Sequence, residues 1–263
     1  MQKLKNKKLF LLDMDGTIYL DNNLFDGVSE FLDYIRYIKG RYIFLTNNSS
    51  KSVKKYVEKL ASLGIEACEE DFLTSTDATV LYLQEKGYKK IYALGTESFK
   101  QQLSDNGLNI TDKLCDDIDC LCMGFDTELT FQKIEDACIL LRREVDYIAT
   151  NPDWVCPTWY GSVPDCGSIS QIIQNATGRL PYFIGKPRPA MVELAMNKTG
   201  YSKEETVVIG DRLYTDIACG VNAGVSTIFV LSGEGTLEDL NKSEVQPEYV
   251  LDNIRELYIN LKN

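Results

Sequence analysis

A chain of 263 residues with no histidine and a net charge of −11 excludes much before any pattern is read. Catalysis by a Ser-His-Asp or Cys-His pair is ruled out, as are zinc and non-haem iron held by imidazole, so acid–base work falls to Asp, Glu, Lys, Tyr or Cys. The length fits one or two domains with a full core. The 39 acidic against 28 basic residues speak against a general nucleic-acid binder.

Short apolar runs alternate with amphipathic segments along the whole chain. KLFLLD (8–13) reads as a buried strand. It is followed by a helix over 28–39, with Val28, Phe31, Leu32, Ile35 and Ile38 at helical spacing and Gly40 as its stop. RYIFLT (41–46) is a second buried strand. A helix over about 52–63 follows, capped by Ser50 or Ser52 and ended by Gly64, then FLTS (72–75) and a helix over 77–86 ended by Gly87. The middle of the chain gives IYALG (91–95), a helix over 97–106, IDCLCMGF (118–125), a helix over 130–145 capped by Thr130, DYIATN (146–151) and a helix over 168–178. The last set is YFIG (182–185), a helix over 189–199, TVVIGD (206–211), a helix over 215–224, STIFVL (226–231), YVLDN (249–253) and a closing helix. This alternation predicts an α/β fold with a mostly parallel sheet covered on both faces.

The apolar run Leu9–Leu12 is far too short for a secretory signal, and no stretch approaches a membrane span. A cytoplasmic location with eight reduced cysteines is therefore expected. Cys115, Cys120 and Cys122 come nearest to a metal pattern. Cys120 and Cys122 alternate within an apolar run, so they share one face of a strand and read as core thiols.

Folds of this class place their sites at the carboxyl ends of strands, and four predicted strands end in polar chemistry. DMDGT (13–17) sets Asp13 and Asp15 at a strand mouth with Gly16 after them; alone it reads equally well as an Asx-type turn. TNNSS (46–50) sets Thr46, Asn47 and Asn48 at the start of a helix, an anion site by geometry but also an ordinary N-cap cluster. GKPRP (185–189) offers Lys186, and a lone lysine is usually a surface residue. GDRLYTD (210–216) gives Asp211 at a strand end and Asp216, for which helix capping competes with a chemical role. Together the odds change. Asp13, Asp15 and Asp211 would repel one another if they converged, and oxygen-only ligands select a hard divalent cation such as Mg²⁺. With a lysine and free backbone amides beside it, such a site suits a phosphoryl group.

At these residues the sequence resembles the haloacid dehalogenase (HAD) superfamily of phosphatases. DMDGT is similar to its first motif, LTN to its second, GKP to its third and GDRLYTD to its fourth. TNPD (150–153) and PDCG (164–167) resemble the substrate-loop signature of subfamily IIA, the NagD-like and 4-nitrophenylphosphatase-like branch. The resemblance implies a discontinuous Rossmann-like core over 1–77 and 181–263, with an inserted α/β type II cap over 78–180. It implies a Mg²⁺-dependent phosphoric monoester hydrolase acting on small phosphorylated metabolites through an aspartyl-phosphate. Asp13 would be the nucleophile and Asp15 the acid and base. Asp13, Asp211 and the backbone carbonyl of Asp15 would hold the metal, with Asp216 supporting them. Gly16, Thr46, Asn47, Asn48, Lys186, Asn151 and Asp153 would serve substrate binding, and Thr17 would hold the loop.

The loop over 150–167 would close on the leaving group. Trp154, Trp159 and Tyr160 stand evenly between substrate contact and packing, and Asp165 departs from the small residues usual around PxCG. A phosphotransferase or phosphomutase on the same fold, and a non-catalytic phosphometabolite-binding protein, are the alternatives. Sugar phosphates, phosphoglycolate-like acids, nucleotides and pyridoxal phosphate all fit the branch. The expected partners are a small phosphorylated metabolite and a second copy through the cap, with neither nucleic acid nor membrane.

Overall fold

The protein is described by a computed structural model that covers residues 2–158 and 160–262. Trp159, expected to contact substrate or pack, lies outside the described residues. By contact the chain divides into two units, one of Met1–Thr46, Val57–Leu73 and Lys186–Asn263, the other of Asn47–Tyr56 and Thr74–Gly185.

The first unit carries a six-stranded sheet in the order Tyr249–Leu251, Ser226–Val230, Thr206–Gly210, Leu9–Leu12, Arg41–Thr46, Phe72–Thr74. Leu9–Leu12 is central and buried at every position. Leu12 pairs in parallel register with Ile209 on one side and Phe44 on the other. From this strand the chain builds outward in one direction through residues 41–74 and later in the other through 206–251. The point where strand order reverses is where such sheets leave a crevice at their carboxyl ends.

The helix Val28–Tyr37 buries Val28, Phe31, Leu32 and Ile35, and Phe31 meets Phe10 edge-on with ring centroids 5.6 Å apart. Its stop differs from expectation: Lys39, not Gly40, takes the left-handed conformation (φ 55°). Gly40 is needed for another reason, since a Cβ there would lie 2.8 Å from the Lys8 carbonyl oxygen.

The second unit has a five-stranded sheet in the order Tyr182–Phe183, Asp146–Ala149, Cys120–Met123, Ile91–Leu94, Ile110–Thr111, all parallel. Its core gathers Tyr92, Leu94, Leu121, Met123, Leu140, Tyr147 and Ile169. Thr96, Thr130 and Asp165 cap its helices with side-chain oxygens.

Three segments assigned to the core by the sequence boundaries group with this unit instead. Residues 74–77 belong to the helix Ser75–Lys86, which opens on a Thr74–Asp77 capping box. Tyr182–Phe183 pairs with Asp146–Ala149. In residues 47–56, Ser49 Oγ lies 2.9 Å from Thr150 Oγ1 and accepts from the Phe125 N–H at 2.8 Å. The sequence also missed two hairpins, Tyr19–Leu20 with Asn23–Leu24 and Val155–Thr158 with Gly161–Pro164.

The eight cysteines are free thiols. Burial pushes Cys166 and Cys219 up to about 12 and raises Cys120 and Cys122 as well, which keeps these thiols protonated and inert at neutral pH. Among the described residues no helix is long and apolar enough to cross a membrane.

Candidate active site

The carboxyl end of Leu9–Leu12 delivers Asp13, whose N–H donates to the Ile209 carbonyl at 2.9 Å and so stays in line with the sheet. Thr206–Gly210 delivers Asp211. Asp216 comes from the turn of π-helix Leu213–Ile217 that follows. Carboxylate oxygens of Asp13, Asp211 and Asp216 lie within 4.8 Å of one another. Lys186 enters from the loop ahead of the helix Ala190–Thr199. Its ammonium donates to Asp13 Oδ1 at 2.5 Å, Asp216 Oδ1 at 2.6 Å and the Leu45 carbonyl at 3.0 Å. Thr46 stands next to Leu45 at the end of its strand and is buried.

Three acids against one lysine leave excess negative charge out of water. Burial and the Asp216 charge push the Asp13 carboxyl well above the usual range, against the pull of Lys186. Burial, again with Asp216, raises Asp211 to about 7. Burial pulls the Lys186 ammonium down, but Asp13 and Asp216 outweigh it and hold the group above its ordinary value.

The three acids differ in what they have left to offer. Asp216 commits both oxygens, Oδ1 to Lys186 and Oδ2 to the Arg212 N–H at 3.0 Å. It is not a helix N-cap, the role that competed for it. It sits inside the first turn and reaches back to the Arg212 N–H. Asp211 Oδ2 accepts from the Glu234 N–H at 2.7 Å, but Oδ1 is buried with no hydrogen-bond partner among the described residues. An orphaned carboxylate oxygen of this kind costs free energy unless a cation completes it. The partnered oxygen, Oδ2, is closely walled by glycines. A Cβ on Gly233 would come 1.9 Å from Asp211 Oδ2, and one on Gly16 2.3 Å from the same atom. Gly16 has φ 90°, which further restricts the position. The donor set therefore fits a small, hard divalent cation.

Asp15 turns away from this cluster. Its Oδ1 lies 3.8 Å from Lys59 Nζ and its Oδ2 accepts from the Tyr19 hydroxyl at 3.4 Å. The turn that carries it is closed by Gly16 N–H to Tyr19 C=O at 2.9 Å and Ile18 N–H to Met14 C=O at 2.8 Å. Thr17, expected to hold this loop, is buried with a hydroxyl that bonds to none of the described residues. The turn is instead tied by Ser232, whose hydroxyl donates to the Gly16 carbonyl at 2.7 Å.

The other expected substrate residues belong to the second unit, where they form a network of their own. Asp153 Oδ2 accepts from Asn47 Nδ2 at 2.6 Å and from Asn151 Nδ2 at 2.8 Å, and Asn151 Nδ2 also donates to Asp165 Oδ1 at 3.0 Å. Asp165 caps the helix Cys166–Thr177 through the Cys166 N–H. Its carboxylate is thus a structural tie for the loop, which accounts for an acid where small residues are usual. Asn48 Oδ1 accepts from the Ser50 N–H and hydroxyl. Trp154 precedes the hairpin and Tyr160 lies in the turn between its strands; both are exposed.

Sequence reasoning missed Lys59, Tyr19, Ser232, Gly233 and Glu234. For the last three a signal existed: a glycine pair, GEG, directly after the buried strand Ser226–Val230 and Leu231–Ser232.

Residues 10–109 match the model of the haloacid dehalogenase-like hydrolases, and residues 183–257 match a HAD-hydrolase-like model. An acid sugar phosphatase of Staphylococcus aureus is 35% identical over 261 residues, covering 98% of this chain and all of that one. A 4-nitrophenylphosphatase from Thermotoga maritima superimposes with a TM-score of 0.93 at 41% identity, covering 98% of this chain and 99% of the other. A glycerol phosphate phosphatase from Mycobacterium tuberculosis, solved with magnesium, gives a TM-score of 0.90 at 28% identity, covering 97% of this chain and 78% of the other. The chain is a phosphatase of the haloacid dehalogenase-like hydrolase family, in its NagD-like branch.

Proposed function

We propose that this protein hydrolyses phosphate monoesters of small metabolites through an aspartyl-phosphate on Asp13, with Mg²⁺ as its cofactor. The observation that carries the reading is the buried Asp13–Lys186–Asp216 cluster beside Asp211, whose Oδ1 has no hydrogen-bond partner among the described residues.

Asp13 and Asp211, with the backbone carbonyl of Asp15, would hold the metal. When bound, Mg²⁺ shields the repulsion between an anionic nucleophile and an anionic ester. Asp216 keeps its two commitments and fixes Lys186 rather than serving as a ligand. A carboxylate oxygen of Asp13 attacks phosphorus, and the bond from phosphorus to the leaving oxygen breaks with its electron pair on that oxygen. Asp15 gives its proton to the leaving oxygen and becomes a carboxylate. It then takes a proton from the water that attacks the aspartyl-phosphate, and the Asp13 carboxylate and inorganic phosphate are released. Lys186 stabilises the negative charge on the phosphoryl oxygens during both transfers. Substrate contacts for Thr46, Asn47, Asn48, Asn151 and Asp153 rest on the motif resemblance.

The test is phosphate release from a panel of sugar phosphates, nucleotides, pyridoxal phosphate and short phosphorylated acids, with Mg²⁺ and with chelator. Turnover of at least one ester that stops in chelator and returns with Mg²⁺ is expected. Undiminished turnover in chelator would overturn the metal assignment.

A further inference from the structure

Asp15, Tyr19 and Lys59 form a closed triangle at the rim of the site. The Lys59 ammonium lies 3.6 Å from the centroid of the Tyr19 ring and 3.8 Å from Asp15 Oδ1, while the Tyr19 hydroxyl lies 3.4 Å from Asp15 Oδ2. Tyr19 is fully buried, and its carbonyl closes the turn that carries Asp15. Its ring is therefore fixed to the same piece of backbone as the acid. Lys59 comes from a separate element, the helix Val53–Ser62.

A lysine on a helix facing an acid is ordinarily a weak surface pair, because ordering two long side chains offsets the Coulomb gain. Here the ring face restrains the ammonium independently of Asp15, an arrangement that is itself attractive. Less conformational entropy then remains to be lost when Asp15 takes up its position. The function of the contact follows from its geometry: it limits where a short, partly exposed carboxyl group can point.

We propose that Lys59, seated on the face of Tyr19, is a positioning residue that aims the Asp15 carboxyl group at the leaving oxygen. This rests on the assignment of Asp15 as proton donor. A donor held in place matters most when the departing oxygen is strongly basic and little when it leaves readily as an anion.

The experiment compares kcat/KM, which covers steps up to departure of the leaving group, for phenyl phosphate and 4-nitrophenyl phosphate. The two esters have similar shape, but phenolate is the more basic leaving group. Lys59→Met should lower kcat/KM about tenfold for phenyl phosphate and less than about threefold for 4-nitrophenyl phosphate, as part of the roughly 10²–10⁴-fold that a positioned proton donor contributes. Lys59→Arg should recover most of the loss, and Tyr19→Phe, which keeps the ring face, should lose less than Lys59→Met. Asp15→Asn, in which kcat/KM is read from the rate of the single phenolate burst at limiting substrate, should show the same pattern more strongly, and adding Lys59→Met to it should cost nothing further on phenyl phosphate. Equal losses on the two esters, no loss on either, or an additive loss in the double variant would overturn the positioning role. An Asp15→Asn enzyme that treats the two esters as the wild type does would instead overturn the assignment of Asp15, and the proposal with it. If Lys59→Met is unfolded by circular dichroism, the same comparison is read from Lys59→Arg against Lys59→Gln, with loss confined to Gln and to phenyl phosphate as the supporting result.

Discussion

Asp13 meets Lys186 in a pocket where the lysine side chain is 3% exposed, at 2.5 Å. Asp15, two residues on, meets Lys59 at a rim where the lysine is 20% exposed and the acid 32%, at 3.8 Å. The residue pair is the same and the physics differs. In the pocket the ammonium offsets charge that has lost its water, so removing it leaves Asp13 and Asp216 uncompensated. At the rim, water and salt screen the pair, and what remains is orientation. One turn of chain thus holds the proposed nucleophile by electrostatics and the proposed proton donor by geometry. Gly16, between the loop and Asp211, allows both.

Removing the proposed nucleophile should have the largest effect. Asp13→Asn should lower kcat by about 10⁴-fold or more, as loss of a nucleophile does elsewhere, with circular dichroism unchanged; residual turnover near wild type would place the nucleophile elsewhere. Next comes the pocket lysine. In chelator, Lys186→Met should cost about 3 kcal/mol in urea unfolding, the range for breaking a buried charge pair, and activity assayed with Mg²⁺ should fall as well. A neutral effect on stability would mean that the pocket acids are already protonated.

The third test uses pH. Asp211 stands at about 7 when no metal is bound. As the pH falls through that value, protons compete with Mg²⁺, and calorimetric Mg²⁺ affinity should drop by up to about tenfold per unit. The stability consequence has the opposite sense. A carboxyl raised above its unfolded value of about 3.9 stabilises the metal-free fold in acid and loses that contribution as the pH rises from about 4 to 7. Melting curves in chelator should therefore fall across this window more steeply than curves in Mg²⁺, and parallel curves would contradict it. The smallest effect belongs to the rim: Lys59→Met should change unfolding free energy by less than about 1 kcal/mol. A loss as large as that of Lys186→Met would erase the distinction between the two lysines.

The pocket acids, Lys186 and Asp15 were legible in the sequence, and the partners of Asp15 at the rim were not, for a physical reason. Asp13 and Asp211 end apolar runs, and Lys186 follows one between glycine and proline, so each breaks a pattern that burial would otherwise impose. Lys59 breaks nothing. It is one of three lysines in VKKYVEKLAS, each in register with a solvated helix face, and only the fold places it over Tyr19. The two-sheet architecture was legible because each buried parallel strand is a continuous apolar run. The hairpin Val155–Thr158 with Gly161–Pro164 was not, since its positions are mostly half-buried or exposed and it contains Pro157 and Pro164. Unit boundaries slipped where a helix cap at Thr74 and a two-residue edge strand at Tyr182–Phe183 decide the grouping, features too short to carry a periodic signal.

The division of labour between the two acids is tested most directly by acid-quenching Asp15→Asn enzyme after mixing with 4-nitrophenyl phosphate and locating any added phosphoryl group by peptide mass spectrometry. Without Asp15 to take a proton from water, one burst of 4-nitrophenolate is expected, with a phosphoryl group left on the peptide that carries Asp13. A burst with the phosphoryl group on another residue, or steady turnover with none retained, would contradict it.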